Sequence, residues 1–377
     1  MSLGVYIHIP FCGYKCHYCD FVTSLRTKDL QAQYCQIVAA EISGRLQDCA
    51  PLAVSSISYG GGTPSILESN YLVQVHQTLL ANINLLPNSE ISLEATPETV
   101  TKEKAKIWRE LGFNRLSIGV QSFNDQELIS LNRGHTVVEA IAAINTAAQA
   151  GFDNINCDLM YGLPGQTLNS WQSSISQFIK LAKQFPQLKH LSAYGLELSP
   201  NAPLVKIFPA NSEVYPNEEW NEEQFLYLLD SLSQAGFAQY EISNFAKDEY
   251  RSKHNLNYWQ QGEYQAFGVS AHRYIKPYRS ANWRSLKQYL SDYLNNEIVE
   301  LIDENTAIKE AIMLGLRLTD GIHIKQFEQS FNFNLIERHA KLIDNLISQD
   351  MVIYSNDNLK LTRFGQRMAN TVISEFF

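Results

Sequence analysis

The sequence has no apolar run approaching the roughly 18 residues that a membrane-spanning helix needs. It has no basic segment followed by an apolar stretch at its start, since M-S-L-G-V-Y leads straight into the first strand-like run, so a secretory signal is not expected. Basic residues are outnumbered: 30 Lys and Arg face 39 Asp and Glu, a formal net charge of −9, which argues against a nucleic-acid surface. Cysteine is scarce too. Six cysteines, three of them in one short stretch, do not form a secreted disulfide framework and instead fit a reducing compartment and a metal. A cytoplasmic location is the expectation, with peripheral membrane contact left open. What remains is an ordinary globular composition, 45% hydrophobic and 18% charged over 377 residues, long enough for one large domain and a smaller one.

From residue 1 to about 245, short apolar runs alternate with amphipathic stretches. Strand-like runs cover 5–9, 56–60, 90–95, 115–120, 154–160, 190–196 and, more weakly, 239–242. Helix-like stretches cover 29–45, 70–82, 102–111, 137–150, 168–183 and 218–234. This alternation predicts an α/β fold with a parallel sheet covered by helices, a partial or full TIM-like (β/α) barrel with its chemistry at the C-terminal strand ends. Residues 246–300 are polar, rich in aromatics and lack clear periodicity, and read as a connecting segment. Residues 301–377 read as a small, mostly helical, winged-helix-like domain. Helices are expected at 304–318, 324–330, 335–349 and 363–374, with a hairpin of 351–354 and 359–361 around S-N-D-N. The acidic balance favours a packing module there over a DNA-binding one.

The chemistry concentrates between Tyr6 and Phe21, Y-I-H-I-P-F-C-G-Y-K-C-H-Y-C-D-F. Cys12, Cys16 and Cys19 stand in C-x3-C-x2-C, directly after a strand-like run that Pro10 ends. Three thiolates hold three corners of a cubane iron–sulfur cluster, whose fourth iron is then open to a ligand. The alternative is a structural zinc site with His17, His8 or Asp20 as fourth ligand, although no second cysteine knuckle is present. Cys35 and Cys157 lie in helix-like and strand-like runs and read as small core residues; Cys49 is isolated.

Further candidates follow the strands. Gly60-Gly61-Gly62-Thr63-Pro64-Ser65 follows the second strand-like run, where glycines either let the backbone approach a ligand or make a tight turn. Glu94 and Gln121 end the next two runs. Asp158 lies in N-I-N-C-D-L-M-Y-G-L-P-G and needs a partner if buried; Arg133, expected in a helix within L-N-R-G-H, is a candidate for that ion pair. His254-Asn255-Leu256-Asn257-Tyr258-Trp259 reads as a core histidine among aromatics or as a haem ligand with stacking partners. Ala271-His272-Arg273-Tyr274 is a second histidine–aromatic patch that could line the same cleft.

The cysteine spacing resembles the radical S-adenosylmethionine (SAM) superfamily. Its wider wording resembles the oxygen-independent coproporphyrinogen III oxidase group and its haem-chaperone branch, HemW. The resemblance implies a partial (β/α)6 barrel. It implies a [4Fe-4S] cluster on Cys12, Cys16 and Cys19, with SAM chelating the open iron and cleaved by an electron to a 5′-deoxyadenosyl radical. It implies SAM contacts from Tyr6, Gly61, Gly62, Thr63, Glu94, Gln121, Arg133 and Asp158. H-N-x-x-Y-W resembles a motif of the HemW branch and implies His254 as the haem contact.

Two departures separate the chain from the oxidase pattern. The oxidase has a further cysteine two residues after the third, where this chain has Phe21. The oxidase also has an N-terminal arm that covers its substrate, whereas five residues precede Tyr6 here. The resemblance therefore implies a haem chaperone, with haem as cargo and haem-accepting proteins and an electron donor as partners, whose oligomeric state stays open. The alternative is a coproporphyrinogen III dehydrogenase that converts propionates to vinyl groups.

Overall fold

The computed structural model of the chain describes residues 3–25, 27–47 and 51–377. The isolated Cys49 lies outside the described residues. Six parallel strands form its centre: β1 (Leu3–Ile9), β2 (Leu52–Gly61), β3 (Ile83–Ala95), β4 (Arg115–Gln121), β5 (Asn154–Tyr161) and β6 (Leu188–Gly195). Each leads to a covering helix, in order α1 (Lys28–Leu46), α2 (Ser69–Ala81), α3 (Lys102–Glu110), α4 (Val137–Gln149), α5 (Leu168–Gln184) and α6 (Glu218–Gln234). The helices start where the sequence provides caps. Thr27, Thr101, Thr136 and Thr167 each accept a first-turn amide, and Thr136 and Thr167 complete capping boxes with Glu139 and Ser170.

Strand alternation divides the sheet into two chemistries. Facing the helices, Ile7, Ile57, Leu93, Ile118, Ile155 and Leu191, one from each strand, are fully buried. Each such side chain contributes roughly 1.5–3 kcal/mol on burial, so this layer holds the barrel together. The opposite parity is polar: Tyr6, Ser58, Ser92, Ser117, Asn156 and Ser192 point into the half-barrel. There they bond to one another, as in Ser92–Ser58 at 3.1 Å and Asn156–Ser117 at 2.7 Å.

The sheet does not close. Beyond β6 come β7 (Ala238–Glu241) and β8 (Asn244–Ala246), both antiparallel to their neighbours. The run at 239–242 is therefore no seventh barrel strand: two residues separate β7 from β8, enough for a hairpin and too few for a parallel crossover. Beyond β1 the sheet continues through β9 (Tyr264–Phe267), β10 (His272–Ile275), β11 (Tyr278–Asn282) and β12 (Asn296–Leu301). Residues 246–300 thus supply four strands of the main sheet, preceded by helix α7 (Lys253–Trp259).

The C-terminal residues pack a second core around Ile312, Phe327, Leu335, Leu346 and Leu359. The expected helices at 335–349 and 363–374 are each broken, at His339 and Met368, where no glycine or proline announces a break. His339 there packs on Phe376. The wing hairpin turns at Asn356 and Asp357, both at positive φ (51° and 65°), as a tight hairpin requires. Arg363 and Arg367 tie this unit to Asp230 and Glu222 of α6. Among the described residues, no helix is long and apolar enough to cross a membrane.

Candidate functional site

The C-terminal ends of the barrel strands open on a cavity of about 440 Å³. Its wall carries Cys12, Cys16 and Cys19 together with Tyr6, Gly61, Gly62, Thr63, Glu94, Gln121, Arg133 and Asp158. All three cysteines are free thiols. Their loop is held at both ends. Residues Phe11–Cys12 pair with Ser24–Leu25, and Ser24 N donates to Pro10 O at 2.7 Å. The middle of the loop is stitched to the turn after β4. Arg133 Nη1 donates to Cys16 Sγ at 3.2 Å, Asn132 Nδ2 to Lys15 O at 2.8 Å, and the His17 ring to Ser130 O at 2.9 Å.

The candidates for a fourth zinc ligand are placed elsewhere. His17 is turned onto Ser130, and Asp20 accepts from Ser199 Oγ at 2.6 Å. His8 sits between the Tyr6 hydroxyl and Val22 O, and burial lowers its pKa to about 4. None of the three lines the cavity. The thiols themselves are sheltered: burial raises Cys12 to about 11 against the opposing Thr63 hydroxyl, and raises Cys19 as well.

The glycine strip lies directly against the cysteine loop. Gly61 has φ +108°, and a Cβ there would come within 2.4 Å of His8. A Cβ on Gly62 would meet Phe11 O at 2.7 Å and Cys12 Sγ at 3.0 Å. The amides of Gly61, Gly62 and Thr63 are engaged: Gly61 donates to Glu94 Oε2 at 3.2 Å, Gly62 to Ile9 O and Thr63 to Phe11 O, both at 2.8 Å. What the strip offers a ligand is therefore acceptors and close approach.

Two carboxyls face the cavity from neighbouring walls. Burial, followed by the charge of Asp158, raises Glu94 to about 7, with the Gly61 amide and Arg115 opposing. Burial also raises Asp158, but hydrogen bonds from Ser192 and Asn156 counter it, and Asn156 Nδ2 donates to Asp158 Oδ1 at 2.6 Å. The Arg133–Asp158 ion pair expected from sequence does not form. Arg133 lies in the turn after a short helix, Asp125–Ser130, and spends its guanidinium on Cys16 and on Gly119 O at 2.6 Å.

His254, the expected haem contact, does not line the cavity. It sits on α7, 3% exposed, with Nδ1 3.0 Å from Ser56 Oγ and Nε2 2.9 Å from Tyr258 OH. Burial lowers its pKa to about 3, so the ring is neutral and both nitrogens are taken. Tyr6 joins the two regions: it lines the cavity and stacks on His254 at 6.4 Å between ring centroids. His272 lies on β10, exposed and close enough to His8 to lower its pKa.

Sequence reasoning missed Tyr14, Lys15, Tyr18, Ser117, Met160 and Tyr194, which also line the cavity. The first three sit inside the cysteine loop. The last three share the inward parity of β4, β5 and β6, so counting by two from Gln121 and Asp158 finds Ser117 and Met160.

A three-cysteine loop after the first strand, a glycine strip after the second and an open six-stranded half-barrel define the class: this is a radical SAM protein. Residues 6–178 match the family model described as Radical SAM superfamily, and residues 302–368 match the HemN C-terminal domain. The chain is 33% identical to Heme chaperone HemW of Bacillus subtilis (strain 168) over 99% of its own length and 98% of that protein's. It is 36% identical to Heme chaperone HemW of Escherichia coli (strain K12) over 72% of this chain and 69% of that protein. The chain belongs to the HemW family. It shares its fold with a solved structure of coproporphyrinogen III oxidase (HemN) from Escherichia coli, a radical SAM enzyme, with TM-score 0.86 and 23% identity over 99% of this chain and 89% of that one.

Proposed function

We propose that this protein is a haem chaperone built on a radical SAM scaffold, binding haem and passing it to haem-requiring proteins. The observation that carries this reading is the similarity along the whole chain to proteins named Heme chaperone HemW. Phe21 supports it: at the position where the oxidase pattern has a further cysteine, an exposed aromatic ring lines the cavity mouth.

The residues present fit a [4Fe-4S] cluster and SAM. Three free thiols share one wall, and the absence of a side chain on Gly62 lets the glycine strip pack directly against Cys12. Cys12, Cys16 and Cys19 would hold the cluster, which supplies an electron and an open iron when bound. Arg133 donates to Cys16 Sγ and would orient that ligand and offset the charge of a bound cluster. Tyr6, Gly61, Gly62 and Thr63 line the same cavity and would contact SAM. Glu94 and Asp158 would offer acceptors to an ammonium group or ribose hydroxyls, and Gln121 lines the cavity with them. Haem would be the cargo, a haem-accepting protein its recipient, and an electron donor a further partner.

The test uses protein reconstituted anaerobically and supplied with SAM, a reductant and coproporphyrinogen III. No vinyl-bearing product is expected, while a haem titration of the same preparation gives a saturable spectral shift. Formation of protoporphyrinogen would make the protein the dehydrogenase instead.

A further inference from the structure

We propose that His190 and Tyr240 are positioning residues of the cavity: a buried hydrogen-bond chain of fixed direction, starting at the Ser252 amide, makes Asp158 the standing carboxylate and leaves Glu94 to carry the proton. The proposal rests on assigning this cavity to SAM.

The chain runs through the floor of the half-barrel. Ser252 N lies 3.2 Å from Tyr240 OH, Tyr240 OH lies 2.8 Å from His190 Nε2, His190 Nδ1 lies 2.6 Å from Asn156 Oδ1, and Asn156 Nδ2 lies 2.6 Å from Asp158 Oδ1. Tyr240, His190, Asn156 and Ser252 are all at most 2% exposed. Water therefore does not supply missing partners, and an unmatched donor would cost its full desolvation.

Its direction follows from one group that cannot reverse. A main-chain amide only donates, so the Tyr240 oxygen accepts from Ser252. The Tyr240 proton then goes to His190 Nε2, which must be the unprotonated nitrogen. Nδ1 carries the hydrogen and donates to Asn156 Oδ1, which fixes the amide and turns Nδ2 towards Asp158. A flipped Asn156 would leave the Tyr240 hydroxyl with two donors facing it and no acceptor for its own proton. Burial keeps His190 neutral, as the chain requires.

Asp158 thus receives an amide donor, with Ser117 Oγ a further 3.3 Å away. Among the described residues, Glu94 receives the Gly61 amide alone. The charged and titratable groups around Asp158 are Glu94 on β3, Arg115 on β4, Cys157 beside it on β5, and His190 and Tyr194 on β6. Of these, Arg115 favours the carboxylate form.

Two measurements test this. In 15N-histidine-labelled protein, His190 is expected as the Nδ1–H tautomer, its signal assigned by loss in His190→Gln; an Nε2–H tautomer overturns the proposal whatever SAM does. SAM affinity is then followed against pH in cluster-loaded wild type and Tyr240→Phe, which keeps the ring volume. Loss of the clamp should weaken binding about tenfold near neutral pH, and binding should fail at a higher pH as acid is added. Asn156→Leu, which removes the donor outright, should show the same displacement and serves if Tyr240→Phe does not fold. A Tyr240 that is only structural lowers the melting temperature and leaves the pH profile in place, and that result also overturns the proposal. If cluster-loaded wild type binds no SAM, the assignment of the cavity fails, and the tautomer still decides the chain.

Discussion

The α-carbon of Gly62 stands so close to Cys12 that a Cβ placed on it would lie 3.0 Å from the cysteine sulfur, with Phe11 O nearer still at 2.7 Å. The glycine strip and the cysteine loop are therefore one packed unit, joined by the Gly62 and Thr63 amides.

Gly62→Ala should push the cysteine loop off its seat. Overpacking against backbone costs roughly 1–3 kcal/mol. Iron and sulfide per chain after anaerobic reconstitution should drop well below wild type while the far-ultraviolet circular dichroism stays the same. Full cluster content in this variant would show that the loop has slack.

Replacing Cys12, Cys16 or Cys19 with Ser should remove the brown colour and SAM binding together, from a wild type holding about four irons per chain. Cys35→Ala should keep both, since Cys35 is buried on α1 in the apolar core. Stoichiometric zinc in colourless, anaerobically prepared protein would sink the cluster assignment.

Glu94 gives the apoprotein a pH dependence. Its folded pKa of about 7 lies above the unfolded value near 4.5. The proton is thus held more tightly in the folded state, and the stability it adds is complete below the unfolded value and lost as pH rises through about 7. Wild-type apoprotein should melt lower at pH 8 than at pH 6, and Glu94→Gln should reduce that difference. An equal difference in the variant would place the titration elsewhere.

Ligation of haem iron by His254 requires α7 to unseat, because Ser56 and Tyr258 hold both ring nitrogens. Haem bound by this route should speed hydrogen exchange across Ser252–Trp259, and His254→Ala should abolish the haem spectrum. Unchanged exchange with haem retained by His254→Ala would put the iron ligand elsewhere.

Much of this molecule is legible in local signals. C-x3-C-x2-C after a strand-like run, a glycine strip one unit later and six alternations of strand and helix are patterns of neighbouring residues, and threonine caps mark where the helices start. Parity along a strand is local too, which is why Ser117 and Met160 were within reach. Tertiary structure decided what joins residues far apart in the chain. Arg133 could have paired with Asp158, but the fold carries it to Cys16, 117 positions away. His254 reads as a core histidine from its residues alone and as a haem ligand only by resemblance, and no local pattern shows Ser56, 198 positions earlier, on its ring. Residues 246–300 show no clear period because their strands are short and gain their order from β1, at the other end of the chain. The direction of the Ser252–Asp158 chain is set by which partners are donors only, and no spacing in the sequence encodes that. Periodicity reports which face of an element is buried; the fold alone selects which buried polar groups meet.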